Sequence, residues 1–336
     1  MAVFMAFTLY RSRPFTQSLA KLVINRYHQV AMQSTYTPRR AFLYVPASDM
    51  KKIKKVESLD VDCVVMDCED AVAVNAKDIA RKNVLEALQT LTLQPRTESS
   101  VRINSFSSGF GKDDLKTVLS SQRLPNMINL PKVESPEEME KFAEEFKKNL
   151  GDRKLEKKIA LTIMIETALG FTFMREICKK GCELSEKEQF NLEGVVFGTD
   201  DFAADIGAER TPDLTELMAA RQLFVITSKA FGLQPIDSVY TAFKDVDGLR
   251  KQAEEGRRLG YLGKQVIHPM QVPVVQEAFL PNKEKIKWAI DLIDAFDTHQ
   301  KSGKGAFTFN GKMIDMPVYI QAKNIVHLVN STKKPT

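Results

Sequence analysis

Residues 159–165 read IALTIMI, and the carboxylate of Glu166 follows at once. All of them except Thr162 are apolar, which is typical of a strand buried on both faces of a parallel sheet. Shorter runs of the same kind recur at residues 41–45, 62–66, 100–104, 127–130, 194–198, 236–240 and 264–267. Together these runs predict eight short strands.

The segments between these strands carry the apolar period of amphipathic helices, at residues 76–89, 136–149, 169–178, 214–231 and 249–259. Strands that alternate with helices form a parallel sheet, and eight such units predict a (β/α)8 TIM barrel. A doubly wound open sheet is the alternative. The residues after the first strand read VPASDMKK and lack the GxGxxG pattern of a dinucleotide-binding fold, which counts against it.

The N-terminal part differs in charge from the rest of the chain. The 336 residues carry 48 Lys and Arg against 43 Asp and Glu, yet the first acidic residue is Asp49. An acid-free start that contains Arg11, Arg13, Lys21 and Arg26 is typical of a mitochondrial transit peptide, with a disordered leader as the alternative. Without these four residues, 44 basic side chains face 43 acidic ones, which gives no case for a nucleic-acid partner.

The sequence therefore divides into three parts. Residues 1–37 are predicted to be the leader, residues 38–298 the catalytic barrel, and residues 299–336 a C-terminal lid. No charge-free apolar run reaches the ~18 residues of a membrane span, so we expect no membrane partner. The four scattered cysteines do not form a disulfide framework and suggest a reducing compartment.

Polar residues follow several of the predicted strands, where the active sites of such barrels lie. Glu166 follows the fifth strand and Asp201 the sixth, so their carboxylates can meet on one Mg²⁺ ion. The cysteines and histidines lack the paired spacing of a zinc site. Arg102, inside the third strand, forms either a structural ion pair or a bidentate contact with an anionic substrate.

Two further features have both a structural and a functional interpretation. The lysines at 51, 52, 54 and 55 form either a solvated helix face or a phosphate site just after the first strand. Asp315 lies between apolar residues, where a dry environment would raise its pKa and suit it to proton transfer. From the residues alone, we interpret it as a loop acid.

Seven segments carry a family resemblance, in this order: RRAFLYVPASDMKKIKK, DCVVMDCEDAV, VRINS, NLPKVES, IMIETALG, GVVFGTDDFAADIG and GKQVIHPMQ. They resemble the citrate lyase β-subunit and malyl-CoA lyase family of Mg²⁺-dependent (β/α)8 enzymes. The resembling part covers nearly all of the predicted barrel.

The resemblance implies roles for individual residues. Glu166 and Asp201 would be the metal ligands, Arg102 would bind substrate and stabilise an enolate, and Asp315 would be the catalytic acid. The acids that would orient metal-bound water or the guanidinium are Glu69 and Asp70. The side chains that would hold the acyl-CoA are Tyr44, Lys51, Lys55, Ile267 and His268.

The resemblance also implies the reaction, a reversible cleavage of citramalyl-CoA to pyruvate and acetyl-CoA. Malate synthase activity with glyoxylate and malyl-CoA thioesterase activity are implied as side reactions, and a homotrimer in the mitochondrial matrix as the setting. A neighbouring subunit would then supply Asp315. The alternatives are a Mg²⁺ aldolase of free hydroxy acids, in which Lys51 and Lys55 have no task, a dedicated malyl-CoA thioesterase, and a non-catalytic barrel.

Overall fold

The computed structural model describes residues 37–301 and 307–332, so almost all of the predicted leader lies outside the described residues. Eight parallel strands close into a barrel in sequence order. They are β1 (Ala41–Pro46), β2 (Cys63–Asp67), β3 (Glu98–Arg102), β4 (Met127–Leu130), β5 (Ile159–Ile165), β6 (Phe190–Phe197), β7 (Gln234–Asp237) and β8 (Gly263–Val266). Strand β1 pairs with both β2 and β8, which closes the sheet and confirms the predicted (β/α)8 fold.

Helices follow the strands and surround the barrel. They are α1 (Met50–Lys55), α2 (Lys77–Thr90), α3 (Gly111–Ser120), α4 (Pro136–Leu150), α5 (Ala168–Thr172), α6 (Met174–Lys187), α7 (Thr199–Asp205), α8 (Met218–Ala230), α9 (Val246–Leu259) and α10 (Gln271–Ala278). The single helix predicted at residues 169–178 is two helices, α5 and α6, that meet at Phe173.

Alternating residues of the strands build two cores. One set points into the barrel and includes Phe42, Tyr44 and Met164. The other set points outward and packs against the helices. Apolar side chains thus cover both faces of the strands, as the continuous apolar runs predicted.

Ion pairs close the floor of the barrel, at the amino ends of the strands. Arg39 Nε lies 2.5 Å from Glu98 Oε2, and Arg39 Nη2 lies 2.7 Å from Glu193 Oε2. Arg40 Nη2 lies 2.7 Å from Asp62 Oδ1. Both arginines are almost fully buried, so their charges are balanced inside the protein.

The chain after the barrel forms a small unit with its own core. It consists of α11 (Lys283–Lys301), a hairpin of β9 (Phe307–Phe309) and β10 (Lys312–Ile314), and α12 (Met316–Ser331). Its apolar cluster joins Leu292 and Phe296 of α11 to Phe307 and Tyr319. The helix α11 thus packs with the C-terminal segment, while the division at residue 299 stays a prediction.

In the part of the chain that the structure describes, no helix is long and apolar enough to cross a membrane. Cys63, Cys68, Cys178 and Cys182 are all free thiols.

Candidate active site

The carboxyl ends of β2 and β3 carry a buried ion pair. Asp67 and Arg102 stand opposite each other in the register of these two strands. Arg102 donates from Nε to Asp67 Oδ1 at 2.7 Å and from Nη2 to Oδ2 at 2.6 Å, a bidentate contact. The third nitrogen, Nη1, lies 3.0 Å from Glu69 Oε2. The guanidinium is therefore fixed by Asp67 and presents its Nη1 edge to the acids after β2.

Tyr44 lies beneath this pair inside the barrel. The guanidinium carbon of Arg102 is 4.7 Å from the centre of the Tyr44 ring, a cation–π contact. The phenol oxygen accepts a hydrogen bond from Asn129 Nδ2 at 3.2 Å. Burial raises the pKa of Tyr44, so the phenol stays neutral. Tyr44 therefore supports the guanidinium of Arg102 from inside the barrel.

The loop after β2 is held from two sides. The Asp67 carboxylate accepts from the backbone N–H groups of Glu69 and Ala71, at 2.9 and 3.1 Å. Burial alone would raise the pKa of Asp67, but Arg102 and these N–H groups outweigh it and lower the pKa. Lys77 Nζ donates to the carbonyls of Cys68 and Glu69, both at 2.8 Å. The loop conformation that places Glu69 is therefore fixed by buried charges.

Glu166 directly follows β5 and is 2% exposed. Its Oε1 accepts a hydrogen bond from the backbone N–H of Lys132 at 2.6 Å. A Cβ atom built on Gly198 would lie 2.7 Å from Glu166 Oε2, so the end of β6 approaches this carboxylate as only glycine allows. Burial, together with the nearby charge of Glu69, raises the pKa of Glu166 to about 8.

The ammonium of Lys132 lies among the remaining acids. Its Nζ is 2.7 Å from Glu69 Oε1, 3.5 Å from Asp70 Oδ1 and 3.9 Å from Asp201 Oδ2. Asp201 lies in the first turn of α7 and is about half exposed. The structure therefore brings the predicted residues Glu69, Asp70 and Asp201 together around one lysine.

This arrangement fits a divalent cation. The carboxylates of Asp67, Glu69, Asp70, Glu166 and Asp201 lie around only two cationic side chains in this cluster, Arg102 and Lys132, so the acids outnumber the positive charges there. Carboxylate oxygens are the ligands that Mg²⁺ prefers. Among the described residues, no three His, Cys, Asp or Glu side chains are grouped to hold a metal. Water and substrate oxygens would thus complete the coordination of an ion held by Glu166 and Asp201.

The predicted phosphate-binding lysines lie one turn apart on α1, just after β1. Lys51 and Lys55 are both exposed, and none of the ion pairs of the described residues includes either of them. Lys52 and Lys54, on the same helix, each form an ion pair with a neighbouring acid. Lys51 and Lys55 therefore present two unneutralised charges on one face of α1.

Ile267 and His268 follow β8, the neighbour of β1 in the closed sheet. Ile267 is 43% exposed, and His268 stacks on Phe243 with ring centres 4.7 Å apart. The Gln271 side chain accepts from the backbone N–H groups of both residues, which fixes this turn. The turn thus offers an apolar surface on the β8 side of the barrel mouth.

Asp315 caps the amino end of α12 and is exposed. Its carboxylate accepts from Val318 N at 3.2 Å and makes no ion pair with another described residue. Two nearby apolar side chains are also exposed, Met313 by 74% and Met316 by 50%, whereas Ile314 is buried. No described contact joins Asp315 to the acids of the barrel.

Sequence reasoning did not assign site roles to Asp67, Lys132 or Gly198. Asp67 continues the inward alternation of Cys63 and Val65 along β2, so its direction was available from the pattern. Lys132 follows the fourth strand, which was a positional signal. Nothing local to Gly198 indicates that its backbone lies against Glu166, a residue of another strand.

A protein-family model described as HpcH/HpaI aldolase/citrate lyase matches residues 40–269. The chain belongs to this family. The predicted family resemblance is thereby confirmed, and the match of the HpcH/HpaI family model spans the barrel up to the turn after β8.

Several named proteins are similar to this chain. The mitochondrial citramalyl-CoA lyase of Homo sapiens is 51% identical over 89% of this chain and 88% of that protein. A (3S)-malyl-CoA thioesterase of Cereibacter sphaeroides is 33% identical over 83% of this chain and 90% of that protein. The solved structure of CitE from Mycobacterium tuberculosis, in complex with magnesium, acetoacetate and coenzyme A, is 27% identical with a TM-score of 0.68. That match covers 87% of this chain and 98% of CitE.

Proposed function

We propose that this protein is a Mg²⁺-dependent carbon–carbon lyase that cleaves citramalyl-CoA to pyruvate and acetyl-CoA. The observation that carries the proposal is the gathering of Glu166, Asp201, Glu69 and Arg102 at one mouth of the barrel. The human citramalyl-CoA lyase supports the choice of substrate, because its sequence is similar to this one over most of the length of both proteins. Mitochondrial names of relatives support a mitochondrial location, and the matrix is the compartment that we propose.

Glu166 and Asp201 would hold the metal, and Glu69 and Asp70 would orient its water ligands and Arg102. When bound, Mg²⁺ supplies a Lewis acid for the hydroxyl and carboxylate oxygens of the hydroxy acid. The CitE complex with magnesium supports this assignment. Asp200, the neighbour of Asp201, is left out because it pairs with Arg210 at 2.7 Å.

Arg102 would stabilise the charge that develops on the thioester oxygen. In the cleavage direction a base at the site would take the proton of the substrate hydroxyl, and the C–O bond of that hydroxyl becomes the keto group of pyruvate. The electron pair of the breaking carbon–carbon bond moves onto the thioester oxygen to give an enolate. The Nη1 edge of Arg102, fixed by Asp67, supplies a preorganised donor for that oxygen. Asp315 would then deliver a proton to the enolate carbon to give acetyl-CoA.

Lys51 and Lys55 would bind the CoA phosphates, since they carry the unneutralised charges of α1. Ile267 and His268 would line the same acyl-CoA path from β8. Tyr44 would border the acyl end of the substrate, because its ring lies directly under Arg102. A free hydroxy acid would leave both lysines without a partner, which disfavours the aldolase alternative.

We propose that Asp315 acts on the site of a neighbouring subunit in a homotrimer. Exposed apolar side chains flank Asp315 on the C-terminal unit, and Leu169, Phe173 and Ile206 are exposed after β5 and β6, by 52%, 41% and 45%. Contact between these two apolar surfaces would bury them and would bring the carboxylate of Asp315 over the metal site of the neighbouring subunit. The C-terminal segment would then serve as the predicted lid.

Malyl-CoA hydrolysis and malate synthesis with glyoxylate are proposed as side activities. The Cereibacter thioesterase supports the first of them. Both would use the same acids and the same CoA contacts.

The first experiment distinguishes carbon–carbon cleavage from hydrolysis of the thioester. Purified protein is given citramalyl-CoA, and pyruvate release and free thiol release are measured separately, with Mg²⁺ and with EDTA. We expect Mg²⁺-dependent pyruvate release without an equal release of thiol. Asp201→Ala should abolish it, whereas Asp200→Ala, the adjacent acid, should retain it. Full activity in EDTA, or equal loss in both variants, contradicts the metal assignment.

The second experiment tests Asp315 across the interface. Glu166→Gln and Asp315→Asn chains, each inactive alone, are co-expressed and purified together. Random mixing in a closed ring places an intact Glu166 beside a neighbour's intact Asp315 in about a quarter of the sites. We expect roughly that fraction of wild-type activity. No recovery in a demonstrated mixed oligomer means that Asp315 does not act on a neighbour.

A further inference from the structure

Lys132 contacts every acid assigned to the candidate metal site. Its backbone N–H binds Glu166, and its Nζ lies within 4 Å of Glu69, Asp70 and Asp201. The residue follows β4, which pairs with β5, whereas the acids follow β2, β5 and β6. A single residue thus connects groups from three other strands.

The backbone of Lys132 has an unusual conformation. Its φ is +52°, in the left-handed region that residues other than glycine and asparagine rarely adopt. This conformation directs the N–H to Glu166, while Val133 N already donates to Met164 O of β5. Strained backbone that is retained at a cluster of charges indicates a role for the residue in the site.

The Lys132 side chain also reaches solvent. The Lys132 side chain is 36% exposed, whereas Glu69, which it contacts most closely, is nearly buried. A long side chain with this exposure can turn its charge into solvent while its backbone stays in place. Glu69 cannot follow, because its loop is held by Asp67 and Lys77.

We propose that Lys132 is a positioning residue that serves as the resident counter-cation of the metal site. Its ammonium neutralises Glu69, Asp70 and Asp201 while no metal is bound and turns away as Mg²⁺ enters, whereas its N–H holds Glu166 throughout. The inference rests on the proposed function, since it takes Mg²⁺ as the ion. It means that metal binding competes with an internal charge and is weaker than the carboxylates alone would give.

The sign of one measurement distinguishes this role from a merely structural one. Lys132→Asn keeps a residue that tolerates positive φ and keeps the N–H, but removes the ammonium. The site then gains one negative charge, so Mg²⁺ should bind at least about tenfold more tightly. If Lys132 only supported the fold, its loss would loosen the site and weaken Mg²⁺ binding.

The experiment is calorimetric titration of the full chain with Mg²⁺ in the absence of substrate. Lys132→Arg, which keeps the charge, should bind Mg²⁺ as the wild type does. Lys180→Asn is the matched control, since Lys180 forms an ion pair of the same length, 2.7 Å, with Glu140 on the outer helices. It should leave Mg²⁺ binding unchanged. Should Lys132→Asn not fold, Lys132→Gly takes its place, because glycine adopts this φ without strain.

Equal or weaker Mg²⁺ binding in a folded Lys132→Asn protein overturns the inference and leaves the proposed function standing. Wild-type Mg²⁺ binding that is insensitive to Asp201→Asn overturns the metal assignment itself. The two failures are therefore distinguishable.

Discussion

Replacing Gly198 by alanine tests how tightly the end of β6 is packed against the proposed metal ligand. A Cβ atom at this position would lie 2.4 Å from Glu166 Cβ and 2.7 Å from its Oε2. Carbon atoms in contact are normally about 3.5–4.0 Å apart, so Glu166 must move by about 1 Å. Glu166 is 2% exposed, and its Oε1 is bound to Lys132 N, so the shift must disturb this hydrogen bond.

A misplacement of about 1 Å in a catalytic site can cost about 100-fold in rate. This corresponds to about 2.7 kcal/mol of activation free energy. We therefore expect Gly198→Ala to lower kcat/KM for citramalyl-CoA by about that factor. Mg²⁺ affinity, measured by calorimetry without substrate, should fall at least about tenfold, since one of two protein ligands is displaced.

Gly181→Ala is the matched control. Its Cβ would lie 2.5 Å from Leu192 Cδ2, a similar clash, but with the far end of a flexible side chain between α6 and β6. We expect this variant to lose some stability and to keep both kcat/KM and Mg²⁺ affinity. A folded Gly198→Ala protein with wild-type values of both would refute the reasoning that the close approach of β6 positions Glu166 as a metal ligand.

The remaining predictions concern CoA binding and pH. The double variant Lys51→Ala/Lys55→Ala should raise KM for citramalyl-CoA about tenfold and leave inhibition by pyruvate unchanged. The control double variant Lys52→Ala/Lys54→Ala should change neither quantity. Equal effects of the two double variants would contradict the phosphate role. Burial raises the pKa of Glu166 from 4.5 to about 8. Between pH 4.5 and about pH 8, the folded metal-free protein therefore keeps a proton on Glu166 that the unfolded chain has lost. The free energy of unfolding should fall as the pH rises through this range. Thermal unfolding in EDTA should therefore show Glu166→Gln melting above the wild type near pH 8 but not near pH 4.5; parallel melting profiles would speak against this shift.

The strands were predictable where their residues are apolar. The bounds of β5 agree with the prediction because each of its residues is buried. The strand β3 begins two residues earlier than its apolar run, at Glu98, because that carboxylate enters the floor of the barrel and pairs with Arg39. The strand β7 begins at Gln234, whose polarity and the following proline hide a fully buried strand. Buried polar residues are thus what the hydrophobic pattern does not reveal.

The candidate site was predictable in part for the same reason. Glu166 and Asp201 follow strands, and the topology of a barrel brings strand ends together whatever their sequence separation. The bidentate contact between Arg102 and Asp67 depends on strand register, and the contacts of Lys132 depend on its backbone φ. Neither quantity is encoded in residue type or spacing.

The ion pairs below the barrel set a limit on how short the chain can be made. Arg39 forms ion pairs with two carboxylates, one from β3 and one from β6. Removing one partner of a buried ion pair typically lowers the free energy of unfolding by about 3–5 kcal/mol. A truncation of the N-terminus must therefore stop before this arginine. Removal of Arg39 as well would leave the carboxylates of Glu98 and Glu193 without their shared partner and would destabilise the barrel.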